Sequence, residues 1–337
     1  MNPKERSIFY KEFLQTGQNL TIGSLESLQL TEDDLKALGE PHGPTVEAVK
    51  PKRGPLVLFV IKHHGHLYEV RLLQDKDTDH QFLHECMIRN HLTKVPSERV
   101  QESVVQTLAM DYQAGYIVSP VQETTPLTPP GFAGYETFYN LLWDLERSQL
   151  FATQLSDKTL AMQGDHIVMT DVAHLVPFNP LTDYNDQGLV LPQAHMVERF
   201  EKQFLIDAWG TMETSDSVQA VIENIKIAKA AMLIVYMNKL RYVQTNGGSV
   251  TITAWMTGLI DDVKKYLVGP DELWQEYMTN RYRGYVKDMV DELDQPSITS
   301  KTIAKLDFLI QYAQNEEAKE RYLKYKNDAL LKPIVEE

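Results

Sequence analysis

The chain has 337 residues, 43% hydrophobic and 24% charged, which excludes a disordered tail protein and supplies enough apolar mass for a packed core. Lys and Arg number 33 against 47 Asp and Glu, a net charge of −14. That charge speaks against a broad phosphate-backbone binder, because the long-range field repels nucleic acid, but it leaves a local nucleotide pocket open. Cys86 is the one cysteine, which rules out an intrachain disulfide and a cysteine-built zinc site and fits a reducing compartment.

In chain order, residues 1–50 read as a helical leader followed by a loop, with a helix start at Thr31 and a break over Glu40–Pro44. Leu56–Ile61 and Leu67–Leu73 read as a hairpin turning at His63–His66, and a helix follows over His80–Leu92. Val104–Met110 and Tyr116–Val121 read as a second hairpin. The Pro- and Gly-rich stretch Glu123–Gly134 marks a connector, and a helix begins at Tyr135. Thr159–Met162 and His166–Met169 are short strands joined by Gln163-Gly164-Asp165. After a polar loop over Pro177–Pro192 the pattern is mainly helical: 195–209, 215–241, 258–268, 271–292 and 299–326. The dipeptides at Thr245–Gly248 predict a hairpin over Tyr242–Thr253. The most apolar window, Ala230–Met237, is far shorter than the ~20 residues of a membrane span and reads as buried helix. The N-terminus carries no secretory pattern, and the chain is expected to be cytoplasmic, without membrane contact.

Strands, one helix, more strands, a connector and a helical half resemble a two-lobed protein kinase. Phosphoryl transfer needs a cation on the nucleotide phosphates, an acid to hold that cation, a metal-binding carboxylate and a base at the acceptor hydroxyl. Asp171, in Met169-Thr170-Asp171-Val172, follows a predicted strand where kinases place the metal-binding aspartate. The kinase spacing puts the catalytic base at Thr153 and the second metal ligand at Lys158. Neither has the family's side chain, and Asp157 is the nearest carboxylate. Val60-Ile61-Lys62 matches the pattern of the kinase lysine strand. Arg71 is a second candidate cation, nearer the next helix, and Glu85 on that helix is the partner acid. Gly43 and Gly54 are isolated, so a phosphate-covering glycine loop is absent.

The chain resembles most the serine/threonine protein kinases of T7-like bacteriophages, over residues 55–180, with Met169-Thr170-Asp171-Val172 similar to their Ile-Thr-Asp-Pro. The resemblance implies an α+β, kinase-like fold with a β-rich N-lobe at 51–125 and a larger, mainly helical C-lobe at 126–337. It implies ATP and Mg²⁺ as cofactors. Lys62, Arg71 and Glu85 would lie at the phosphates, Asp171 at the metal, and Thr153, Asp157 and Lys158 at the transfer positions. With two catalytic groups replaced, the expected function is that of a pseudokinase acting by binding a protein partner in the host cytoplasm. The acidic surface suits a basic partner. The alternative is a non-enzymatic viral structural or interaction protein. Other clusters have bland readings. His63, His64 and His66 are turn histidines, Cys86 is core packing, and Tyr277, Arg281, Tyr282, Arg283 and Tyr285 are a helix surface.

Overall fold

Alternating apolar residues in the first third of the chain build a sheet, and helices dominate the rest. The computed structural model describes residues 16, 18–38, 44–53, 56–73, 79–192 and 194–335. The fold is α+β. The chain divides into two compact units, one of residues 1–204 with 227–261, the other of 205–226 with 262–337.

The first unit contains a six-stranded antiparallel sheet in the order β1-β5-β6-β4-β3-β2. Its strands are β1 (Thr21–Gly23), β2 (Thr45–Arg53), β3 (Leu56–His63), β4 (His66–Leu73), β5 (Ala109–Asp111) and β6 (Tyr116–Pro120). Successive side chains point to opposite faces of a strand. Phe59, Ile61, Tyr68, Val70 and Val118 pack on one face with Leu25, Leu30 and Leu35. Ile117 and Met110 face the other way, against Phe82 and Cys86 of helix α2 (Asp79–Leu92). Each of these buried large side chains is worth about 1.5–3 kcal/mol, so the sheet and α2 hold one another. The alternation that buries Val70 turns Arg71 toward the α2 side.

Residues 1–15, 17 and 39–43 of the predicted leader lie outside the described residues. The remainder holds β1, a 3-10 turn at Leu25–Leu28 and α1 (Glu32–Lys36). Thr31 and Asp34 form a reciprocal capping box at the start of α1, where the sequence predicts a helix start. Strand β2 is absent from the sequence expectation and straddles the boundary drawn at residue 50.

The predicted strand Val104–Met110 is a correction. Helix α3 (Glu98–Ser103) ends there, and Val104 and Val105 turn away from the sheet. The Val105 amide donates to the Met169 carbonyl at 2.8 Å, which leaves Ala109–Asp111 alone to pair with β6. Helix α4 (Phe132–Arg147) is followed by β7 (Leu150–Ala152), the β8–β9 hairpin (Leu160–Gln163 and His166–Met169) and β10 (Leu175–Pro177), which pairs with β7.

Beyond the polar loop come α5 (Met196–Phe200), a π-helical turn at Glu201–Leu205 and α6 (Ile206–Ser215). Then follow α7 (Val218–Thr245), α8 (Val250–Tyr266), α9 (Pro270–Glu292), α10 (Ser300–Gln311) and α11 (Glu316–Ala329). The hairpin expected over Tyr242–Thr253 is a second correction, because Thr245–Gly248 joins two helices. Gly248 donates its amide to the Val243 carbonyl at 2.8 Å, closing the end of α7, and a Cβ there would fall 2.2 Å from Val243 Cγ1. Buried Ile252, Met256, Ile260 and Val263 carry the helical spacing of α8.

The Tyr277–Tyr285 cluster is another correction. Tyr277 and Tyr285 are buried inside the second unit. Arg281 donates to both hydroxyls and to Glu213 Oε2, and its guanidinium lies 4.2 Å from the Phe308 ring centroid. No helix among the described residues is long and apolar enough to cross a membrane.

Candidate functional site

Arg71 on β4, Glu85 on α2 and Asp171 just past β9 are far apart in sequence, and the fold brings them together. Arg71 Nη1 donates to Glu85 Oε1 at 2.8 Å and to Asp171 Oδ1 at 3.4 Å. Its Nε and Nη2 both donate to Glu69 Oε1, at 3.2 and 3.0 Å. A guanidinium has five N–H groups; these bonds leave one on Nη2 without an acceptor among the described residues. Glu85 is 1% exposed, and Arg89, one helical turn on, donates to the same Oε1 from Nε at 2.8 Å. Arg89 is held by Thr107 Oγ1 and Ser119 Oγ, so its fork is fixed from two further segments. Glu85 is thus bracketed by two guanidiniums.

The electrostatics follow from this packing. Burial works against the charge of Arg71, but Glu85, Asp171 and Glu69 more than offset it and push its pKa above the ordinary arginine value. Burial likewise opposes ionisation of Asp171, and the Arg71 charge with the Ala173 amide, 2.9 Å from Oδ1, outweighs it, so this carboxyl lies below the usual aspartate value. Among the described residues the cluster brings two guanidiniums and three carboxylates together in a largely buried place.

Lys62 is not part of the cluster. It is exposed on β3 opposite Leu67, whereas Arg71 pairs with Leu58 four residues back, about 13 Å along the strand. Thr153 closes the end of β7 against the segment after Asp171. Its amide and its hydroxyl both donate to the His174 carbonyl, and its own carbonyl accepts from Arg199 and Gln203. Asp157 and Lys158 are exposed on the turn before β8. The sequence reading misses Glu69 and Arg89. Glu85 and Arg89 stand at i and i+4, a spacing at which helical charges pair, and that is the available signal.

The histidines are tethers: His63, His84 and His91 lie within 2.8 Å of the carbonyls of Gln29, Leu175 and Ser148. Among the described residues no three His, Cys, Asp or Glu side chains gather as a ready-made metal cage. A Mg²⁺ arriving with nucleotide phosphates needs only one or two protein carboxylates, and Asp171 is the group at this site that would hold it. A search with models of known protein families finds no match to this sequence, and neither does a search of curated proteins.

Proposed function

We propose that the chain is a kinase-like protein that keeps the nucleotide-holding end of a phosphotransfer site, lacks the transfer end, and acts by binding a basic protein partner. The convergence of Arg71, Glu85 and Asp171 carries this reading. A strand cation, a helix acid and an aspartate after a hairpin are the three groups that the resemblance to T7-like phage kinases requires in one place. The order of elements supports it too: α2 lies between β4 and β5 of the sheet, and the β8–β9 hairpin precedes Asp171.

A carboxylate at this place suits an Mg²⁺ carried by ATP. Asp171 would hold the metal, and the remaining Arg71 N–H would donate to a phosphate oxygen. The metal would neutralise phosphate charge. No carboxylate stands at Thr153 or Lys158, so no base removes the acceptor proton and no second ligand fixes the metal. Phosphoryl transfer relies on such positioning, and the missing groups cost orders of magnitude in rate. In this reading the protein works in the cytoplasm, a host's if the chain is phage-encoded. Thermal unfolding with and without ATP·Mg²⁺ tests the nucleotide half. Ligand at a hundred times its Kd stabilises by about 2.7 kcal/mol.

A second reading, an interaction protein with no small-molecule site, is favoured by one observation. Arg71 already spends four of its N–H groups on protein carboxylates. It expects no nucleotide shift at all.

A further inference from the structure

Helices α6, α9 and α10 of the second unit line a cavity of about 530 Å³, within the range of small-molecule sites. Its wall includes Arg281 of α9, the side chain at the centre of the Tyr277–Tyr285 cluster. Three of the five guanidinium N–H groups are spent inside the unit. Nη1 donates to Glu213 Oε2 at 2.6 Å and to the Tyr277 hydroxyl at 2.9 Å, and Nε donates to the Tyr285 hydroxyl at 3.1 Å. The two N–H groups on Nη2 have no acceptor among the described residues. Gly210 of α6, on the same wall, lets the helix backbone approach this end of the group: a Cβ there would fall 2.8 Å from Nη2 and 3.1 Å from Cζ. The Phe308 ring centroid lies 4.2 Å from Cζ. The guanidinium is thus fixed from three helices, with Nη2 left over.

The wall carries Arg281, Lys301 and Lys305 against Asp207, Glu213 and Asp307, so its own charges balance. Each of these carboxylates has a donor: Asp207 the Tyr285 hydroxyl, Glu213 Arg281, and Asp307 Lys326. Lys305 is spent on Asp288 and Glu292. Nη2 is donor capacity that these pairings do not use, and an anionic oxygen takes it best, because a charge-assisted hydrogen bond is the stronger kind. A second observation concerns shape. Tyr312, also on the wall, is 40% exposed, and its ring centroid lies 4.7 Å from that of Phe308 with the planes 39° apart. An open aromatic face beside a donor pair accepts a flat ring.

We infer that this cavity is a binding site for a small anion carrying an aromatic ring, an aryl phosphate or aryl carboxylate, with Arg281 Nη2 donating to the anionic oxygen and the ring packing on Tyr312. The rigid seating of the guanidinium lowers the ordering cost of binding, since the donor pair is already in place. The site lies wholly in the second unit and is independent of the proposed function, whose residues belong to the first.

The test is isothermal titration calorimetry of the full chain with phenyl phosphate and benzoate, against inorganic phosphate and benzyl alcohol, which carry the anion or the ring alone. At least one of the two aryl anions binds about tenfold or more tighter than either half-probe, and the tighter of the two names the head group. Gln311, exposed on the cavity wall, gives a test of sign: Gln311→Glu weakens that binding by about fivefold or more, and Gln311→Lys strengthens it. Gln275→Glu, exposed on α9 outside the lining, adds the same charge and changes affinity less than about twofold. Tyr312→Ala brings the aryl anion to within about threefold of its ringless counterpart. The Gln311 and Gln275 variants alter exposed side chains and keep the melting temperature within about 2 °C of the wild type. Absence of binding by both aryl anions overturns the inference and makes Nη2 a solvated group only. Equal effects of Gln311→Glu and Gln275→Glu overturn it as well, because they would mark a response to net charge and not to this cavity.

Discussion

Arg71 and Lys62 sit in the same hairpin and carry the same charge, yet their environments are opposite. Arg71 is buried against three carboxylates, whereas Lys62 faces solvent. Removing one member of a buried ionic cluster leaves its partners charged and desolvated, which costs about 3–5 kcal/mol. Arg71→Met is therefore expected to lower the urea unfolding free energy by that amount, and Lys62→Met to change it by no more than about 0.5 kcal/mol. Asp171 adds a pH signature. Its folded pKa is depressed below the ordinary aspartate value, so its stabilisation is fully present above that value and is lost as pH falls through the folded pKa. Acid unfolding of Asp171→Asn should accordingly show a shallower loss of stability below about pH 4 than the wild type.

The elements that hold the site are fixed by close approaches and by buried pairs. Gly134, in the first turn of α4, faces the turn of the β8–β9 hairpin, and a Cβ there would meet Pro130 Cβ at 2.6 Å and the Asp165 carbonyl oxygen at 2.9 Å. Gly134→Ala forces α4 off the hairpin that leads to Asp171. It is expected to destabilise by about 1–3 kcal/mol in chemical denaturation, as overpacking does elsewhere. On α7, Lys239 pairs with Glu146 of α4, and both are almost fully buried. Burial pushes the Glu146 carboxyl up against the pull of Lys239, so the pair is held by its own geometry. Lys239→Met alone should cost about 3–5 kcal/mol, and the double variant Glu146→Leu/Lys239→Met should recover most of it.

These elements also show how far sequence reaches. The hairpins β3–β4 and β8–β9 and helix α2 are legible, because a period of two or of 3.6 residues is written in their apolar positions. The expected hairpin at Tyr242–Thr253 fails, since β-branched Val250, Thr251 and Ile252 mask the i, i+4 spacing of Ile252, Met256 and Ile260. Burial of that stripe decides the outcome, and propensity is the weaker prior. At the site, Glu85, Asp171 and Arg71 are legible as residue types in a known order. The choice of Arg71 over Lys62 is not, because both lie on the same face of the sheet and the choice depends on where along the strands α2 and Asp171 pack.

On the scale of the whole molecule, the chain carries a net charge of −14. The basic partner brings positive charge to an acidic chain, so that association should weaken as salt is added. The decisive measurement is the melting temperature with excess ATP·Mg²⁺, taken on the wild type and on Asp171→Asn. An upward shift of several degrees is expected in the wild type and none in Asp171→Asn, whose introduced amide oxygen can still cap the Ala173 N–H and so keep the local fold. No shift in the wild type, or the same shift in both proteins, would refute nucleotide binding through Asp171.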